Sequence, residues 1–175
     1  MDDLAVVHLL RVTHVLAGAF WVGTVVFLAG FLVPSVRAAG PAAGPIMQQL
    51  GQVRRLPRWL IGSAVLTLLS GIGLYWRASA GFTSAAWLAS GQAQVFGLGG
   101  VLALVAAVLG TAVNNPTASR LGALTASFQA AGRPPTAGEV ATIQALQRKL
   151  ARATTAAAVL LILATIAMAV ARYVP

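Results

Sequence analysis

Two histidines and an arginine lie in one apolar stretch near the N-terminus, and they are the residues of this chain best suited to chemistry. His8 and His14 are the chain's two histidines, and Arg11 lies between them. Ionisable side chains at membrane depth are costly, so they normally face a bundle interior or a binding site rather than lipid. We therefore predict that His14 is a ligand or site residue. The alternative for Arg11 is that its guanidinium simply extends to the outer membrane surface.

Arg11 has no acidic partner in the sequence at a similar depth. The acids of the chain are Asp2, Asp3 and Glu139, and none lies in the middle of an apolar segment. Arg11 must therefore use backbone carbonyls, water, lipid phosphate or an anion that a ligand brings. Conventional hydrolysis is not expected, because no carboxylate accompanies the histidines to complete a catalytic triad.

The composition is that of a membrane protein. Hydrophobic residues make up 58% of the 175 residues, charged residues only 9%, and the mean hydropathy is +0.84. The absence of cysteine excludes disulfides, thiolate-ligated iron–sulfur clusters, covalently attached c-type haem and cysteine nucleophiles. The net charge of +9 resides in connections between apolar segments, which predicts anionic lipid headgroups rather than nucleic acid as the partner.

Four apolar segments are long enough to cross a bilayer core, which needs about 20 residues. They cover about 4–33, 56–76, 95–113 and 154–174, and the first lacks the basic start of a cleaved secretory signal. Pro34 is predicted to stop the first segment, and Asn114-Asn115-Pro116 to end the third. Each segment must be helical, because lipid cannot satisfy backbone polar groups. The predicted fold is an all-α membrane protein, a single four-helix transmembrane bundle.

The connections predict orientation and further helices. Arginines and lysines concentrate in the first and third connections, so the positive-inside rule places these in the cytoplasm and both termini on the outer side of a bacterial-type inner membrane. Each of the two cytoplasmic loops is predicted to carry interfacial helices: PIMQQLGQVRR in the first, and segments within 117–149 in the third. Thr136 and Glu139 have the spacing of a capping box, which would open the helix that leads into the fourth segment.

With this orientation, the polar side chains of all four helices converge in the outer leaflet. Arg11, His14, Gly18 and Trp21 share one face of the first helix, whereas His8 lies about 120° around it. The other helices contribute Tyr75, Trp76, Arg77, Gln92, Gln94, Met168, Arg172 and Tyr173 at the same end.

A histidine in such a place is a candidate axial ligand for haem. His8 and His14 share a helix and cannot bind opposite faces of one iron, so a second ligand would come from another helix, another chain or water. Met168 is a candidate because it is the one methionine within a membrane-spanning segment, although methionine is more often a packing residue. Several glycines would let either a flat macrocycle or a neighbouring helix approach, and close helix packing is their commoner role. These are Gly18, Gly71, Gly73, Gly97, Gly99 and Gly100.

Three stretches resemble small CopD-like membrane proteins, the group named for the copper-resistance protein D domain. They are HVLAGAFWVG, RRLPRWLIGSAVLTLLSGIGLYW and LQRKLARATTAAAVLLILATIAMAVARY. The first two are also similar to HemJ-type protoporphyrinogen oxidases, which have four or five helices and bind haem b. That resemblance implies that His14 matches the haem-associated histidine of the family. The family also has a lysine near a WL pair at the start of its third helix, whereas Trp87-Leu88 is followed here by Gln92 and Gln94. This departure from the family pattern argues against protoporphyrinogen oxidation and leaves haem binding open.

The leading hypothesis is a haem b-binding membrane protein that transfers electrons or, if it is an enzyme, a haem-dependent oxidoreductase. His14 would be an axial ligand, with His8 as a further candidate, and Arg11, Arg77 or Arg172 would neutralise the propionates. Its partners would be a redox protein or a larger membrane complex, or a second copy of the chain that presents another His8 or His14.

The alternative hypothesis is a cofactor-free accessory or scaffold subunit of a larger membrane complex, which small-residue helix faces and basic loops would also suit. Copper handling is less favoured, since two histidines and three scattered methionines make a poor soft-ligand pathway. Transport is less favoured because the apolar segments contain no carboxylate for proton coupling. Quinone binding around Gln92, Gln94 and Tyr75 stays open.

Overall fold

The computed structural model describes residues 3–175, apart from the side chains of Pro41 and Gln129. Within this range the chain is helical with no strand, and four long helices are each long and apolar enough to cross a membrane. The predicted all-α four-helix bundle is thereby confirmed. The helices are α1 (Asp3–Phe27, Leu28–Leu32 and Val33–Ala39), α2 (Leu56–Ala78), α3 (Gly91–Val108, Leu109–Asn114 and Asn115–Ala131) and α4 (Ala137–Val170).

Each helix runs antiparallel to the two beside it. α1 packs mainly on α2, and α3 mainly on α4, while smaller contacts join α2 to α3 and α1 to α4 and so close the ring. One end of the bundle holds the start of α1 and the end of α4, and we call it the terminal end. The other holds the two connections rich in arginine and lysine, and we call it the basic end. Up-and-down topology with short links places successive helices side by side.

The core consists mostly of alanine. Leu161 at its centre is 1% exposed and Trp21 is 5% exposed, whereas many larger apolar side chains point outward. Lipid is as apolar as leucine, so membrane helices associate through close packing of small residues rather than by hiding large ones. The remaining core residues are Val25, Ala64, Ala103, Ala106, Ala157, Ala158 and Ala164.

Both proline signals prove wrong as helix ends. The first helix passes Pro34 and continues to Ala39, and the third passes Pro116 and continues to Ala131. In each case a wider π-helical turn, Leu28–Leu32 or Leu109–Asn114, immediately precedes the segment that contains the proline. Each proline then lies in the first turn of a new helical segment, where its missing N–H is not needed. The prolines therefore change the register of the helix without ending it.

The connections are short and ordered by local hydrogen bonds. The first folds as a 3-10 turn, a helix (Gly44–Gln48) and a π-helical turn (Gln49–Val53). The second reverses through Ala80, Gly81 and Phe82, all with positive φ. The predicted capping box that opens α4 is confirmed: Thr136 Oγ1 accepts the Glu139 N–H, and the Glu139 carboxylate accepts the Thr136 N–H at 2.8 Å. This cap satisfies orphan donors of the helix start.

Candidate functional site

His14 is held by the neighbouring helix. Its Nδ1 lies 2.8 Å from the backbone carbonyl oxygen of Thr67 in α2, and its side chain is half-buried between α1 and α2. A carbonyl oxygen only accepts hydrogen bonds, so Nδ1 must carry the proton and donate. In the neutral ring, the lone pair is then on Nε2. This is the arrangement in which histidine usually ligates a metal, with one ring nitrogen bonded to a backbone carbonyl and the other free.

Small residues let α1 and α2 approach closely around His14. A Cβ atom at Gly71 would lie only 2.8 Å from Cε1 and 3.0 Å from Nδ1 of His14, so the imidazole packs directly on the α2 backbone. At Gly18, one turn along α1, a Cβ would meet Thr67 Cγ2 at 3.4 Å. His14 and Gly18 thus fit against Thr67 and Gly71 in the pattern of small residues four apart that brings membrane helices together.

Three buried hydroxyls follow the same face of α2. Ser63, Thr67 and Ser70 are all buried, and each donates to a carbonyl of its own helix. Ser70 Oγ also lies 3.2 Å from the Thr67 carbonyl oxygen, so its single O–H is shared between the Leu66 and Thr67 carbonyls, and the Thr67 carbonyl also accepts from His14. Side-chain types alone do not identify Thr67 as the partner of His14. The four-residue spacing of Ser63, Thr67 and Gly71 was the signal that could have indicated it.

The predicted partners of His14 on its own helix lie in different surroundings. His8 and Arg11 are exposed on the outside of α1, whereas Trp21 is buried in the alanine core. Only Gly18 shares the contact with α2 that holds His14. The spacing that places Arg11, His14, Gly18 and Trp21 near one face is real, but that face is wide enough to run from the outer surface into the core.

The predicted arginines of the terminal end have partners nearby. Arg77 at the end of α2 forms an ion pair with Asp3 at the start of α1, and the pair borders a cavity of about 450 Å³. Arg172 lies over the ring of Tyr173, with 5.8 Å between its guanidinium carbon and the ring centroid. Exposed ion pairs of this kind contribute little to stability, so Arg77–Asp3 is a surface contact between the end of α2 and the start of α1. The cavity is lined by Asp3, Val7, Trp76, Arg77, Ala80 and Gly81.

Met168 and Tyr75 make packing contacts. Met168 is half-buried, and its Cε would lie 3.0 Å from a Cβ atom at Gly99, so the thioether fills the contact between α3 and α4. Tyr75 donates its hydroxyl to the Ala93 carbonyl at 3.3 Å and meets the Trp87 ring edge-on at 4.9 Å. Both side chains are thus accounted for by the packing of α3 against its neighbours.

His14 offers a donor atom that suits haem iron, whereas several of the glycines leave no room for a macrocycle between the helices. The Nε2 lone pair of His14 suits an axial iron ligand. Three of the glycines do not provide slots for a macrocycle between the helices, because Gly71 faces His14, Gly73 faces Leu10, and Gly99 faces Met168 and α4 backbone, whereas a Cβ atom at Gly100 would meet no such neighbour within 4 Å. Within residues 3–175 there is also no group of three side chains of the metal-binding types. The donor chemistry of His14 therefore suits an axial ligand, whereas Gly71, Gly73 and Gly99 are filled by packing and do not enclose a haem.

Comparisons with family models, with curated proteins and with solved structures give no match to this chain.

Proposed function

We propose that this protein binds haem b in a membrane through Nε2 of His14 and takes part in electron transfer. The observation that carries the proposal is the hydrogen bond from His14 Nδ1 to the Thr67 carbonyl. It fixes the ring tautomer and orientation and increases the basicity of the other nitrogen, as outer partners of metal-bound histidines generally do. When bound, a haem supplies one-electron redox chemistry, and the protein tunes it through the axial ligand and the surroundings.

Arg11 is the cation best placed to accompany His14. It precedes His14 by three residues, close to one turn of the same helix, and its side chain is exposed. Arg77, in contrast, is engaged by Asp3, and Arg172 lies over Tyr173. We therefore assign Arg11, rather than either of these, to the neutralisation of a propionate. The proposal does not require Met168, whose thioether is used in packing.

Visible spectroscopy of the purified protein in mild detergent tests the proposal. Protein produced with haem available should show a Soret band and, after dithionite reduction, sharp α and β bands, with haem b identified by pyridine haemochrome. His14→Gln should remove the spectrum while its amide N–H₂ can still donate to the Thr67 carbonyl. The matched control, His8→Gln, should retain it because His8 is exposed and outside the contact with α2. An unchanged spectrum in His14→Gln, or colourless wild-type protein, would refute haem ligation by His14.

A second candidate function is a cofactor-free scaffold subunit of a larger membrane complex. The close packing of glycines and alanines favours it, because this packing fills the interior of the bundle with protein atoms. Under this alternative, His14 only joins α1 to α2. Colourless protein that co-purifies with a defined, stoichiometric membrane partner would support the scaffold function.

A further inference from the structure

A cavity at the basic end combines two arginines with two amides. Its volume is about 420 Å³, and it lies where the π-helical turn Gln49–Val53, the start of α2 and residue 115 of α3 come together. Pockets for small ligands in proteins have volumes of about 300–1,000 Å³. The cavity is lined by Gly51, Gln52, Arg55, Pro57, Arg58, Ile61 and Asn115.

The two arginines of the cavity have no protein partner in the described part of the chain. The side-chain carboxylates there are Asp3 and Glu139, and they pair with Arg77 and Arg133 respectively. Arg37, at the same end of the bundle, donates to the Gln147 carbonyl at 2.9 Å. Both side chains are exposed, and within residues 3–175 neither a hydrogen bond nor an ion pair engages the guanidinium of Arg55 or Arg58, so both can bind an anion from outside the chain.

The fold adds to the positive potential at this place. Arg55 is the N-cap residue of α2, and Arg58 lies in its first turn, where the helix dipole is positive and acidic residues are normally preferred. Arg55 also adopts a left-handed conformation with φ of 53°. Two cations at the positive end of a 23-residue helix repel one another and the dipole, and an anion in the cavity removes this repulsion.

The cavity's donor groups match a phosphate group. A guanidinium binds phosphate oxygens through two parallel hydrogen bonds, and the amides of Gln52 and Asn115 can donate to further oxygens. π-helical turns often occur at functional sites, and the cavity lies beside two of them, Gln49–Val53 and Leu109–Asn114. We propose that this cavity binds a phosphate group, carried either by a phospholipid headgroup or by a soluble phosphate compound. The site is independent of haem binding at His14.

Native mass spectrometry and thermal unfolding of the full-length protein in detergent test the site. The probes are phosphatidylglycerol, phosphatidylcholine and inorganic phosphate, each titrated separately. The double variant Arg55→Gln/Arg58→Gln should bind whichever probe the wild type binds, phosphatidylglycerol or inorganic phosphate, about tenfold more weakly than the wild type does. The reason is that it loses charge-assisted hydrogen bonds. Arg120→Gln/Arg148→Gln is the matched control: it removes the same charge from the basic end but leaves the cavity intact, and it should bind like the wild type.

A charge-conserving variant separates the cavity from general attraction. Arg58→Lys keeps the net charge but loses the two-pronged geometry, so it should weaken binding severalfold. If the wild type retains phosphatidylglycerol in preference to phosphatidylcholine, and the Arg55→Gln/Arg58→Gln variant loses this preference, the phosphate group is that of a lipid headgroup. Saturable stabilisation by inorganic phosphate that depends on Arg55 and Arg58, without lipid preference, identifies a soluble phosphate compound. Equal loss in the two double variants, or wild-type binding by Arg58→Lys, would overturn the proposal.

Discussion

The contact between α1 and α2 and the contact between α3 and α4 both bring helix backbones close together, but they do so with different residues. Between α3 and α4, Gly99 lies against the Ala164 carbonyl and the Ala167 side chain, and the neighbouring core residues are alanines. Between α1 and α2, the imidazole of His14 lies against Gly71 and bonds to Thr67. The side chains around Gly99 are apolar, whereas the other contact contains a histidine and a row of buried hydroxyls.

This difference is the reason for proposing that His14 has a role beyond packing. The alanine contact shows that small apolar residues are sufficient to join two helices of this bundle. A hydrogen bond between membrane helices contributes only about 0.6 kcal/mol on average, whereas an ionisable side chain at membrane depth carries a free-energy cost. Stability alone therefore does not explain a histidine at this contact. The polar contact is therefore the better place to look for function.

The largest expected effect comes from the apolar contact. Leu161→Ala should lower the free energy of unfolding by about 2–3 kcal/mol, because the centre of the core loses its largest fully buried side chain. We expect the lower part of the range known for buried leucines, since the unfolded helix in lipid or detergent also has apolar surroundings. Denaturant-dependent unfolding in detergent, followed by circular dichroism, measures the change.

The matched control for this prediction is Leu163→Ala on the same helix. Leu163 is 47% exposed, so the same truncation removes few internal contacts and should change stability much less than Leu161→Ala. Equal losses in the two variants would show that α3–α4 packing does not depend on a filled centre. The apolar contact would then no longer be the stabilising one.

An intermediate effect is expected in the polar contact. Gly71→Ala places a methyl group 2.8 Å from His14 Cε1, so the imidazole must move and its bond to Thr67 is lost or lengthened. Overpacking of this kind should destabilise the protein by about 1–3 kcal/mol. If His14 binds haem, the same variant should also shift the Soret band, because the ligand loses its orientation. Unfolding and visible spectra measure the two effects on one sample.

Gly62→Ala is the control for Gly71→Ala, because it is the same change on the same helix at a position with no atom within 4 Å. It should be neutral or slightly stabilising, as alanine loses less conformational freedom than glycine in a helix. If Gly71→Ala behaves like Gly62→Ala, then His14 is not packed against α2 as described, and the geometric basis of the proposed ligand disappears.

The sequence was sufficient for the architecture because the bilayer restricts the possible folds. Apolar segments of the required length must be helical, so four such segments predicted the bundle directly. The helix ends are harder to predict: Pro34 and Pro116 have the sequence pattern of helix stops, yet both lie inside longer helices. A π-helical turn before each proline lets the helix continue although the proline has no N–H to donate. Such a turn has no clear sequence signal.

The candidate site was only partly predictable. His14 stood out because an ionisable group in an apolar segment is rare, and spacing placed Gly18 beside it. The Thr67 carbonyl could not be predicted from side-chain chemistry, because a backbone group is present at every residue. The cavity at the basic end depends on how three separate segments meet, so the arginine-rich sequence indicated positive charge there but not a site.

The smallest expected effect sharpens the comparison by touching neither contact. Glu139 opens α4 well before its apolar part, and the hydrogen bonds from Arg133 at 2.8 and 2.9 Å, with help from the Thr136 N–H, lower its pKa to about 2 from 4.5. A lowered folded-state pKa means that this carboxylate stabilises the cap fully above pH 4.5 and loses its effect as the pH falls towards 2.

Amide exchange in the first turn of α4 should therefore rise over that interval, while Glu139→Gln should show exchange that is already fast and independent of pH after correction for intrinsic rates. Because the cap is exposed and distant from both helix contacts, the unfolding midpoint should respond to acid alike in the wild type and in Glu139→Gln. If the unfolding midpoint did change with the protonation of Glu139, the start of α4 would be energetically coupled to the bundle. The α1–α2 and α3–α4 contacts could then not be compared as the two separate sources of the stability of the bundle.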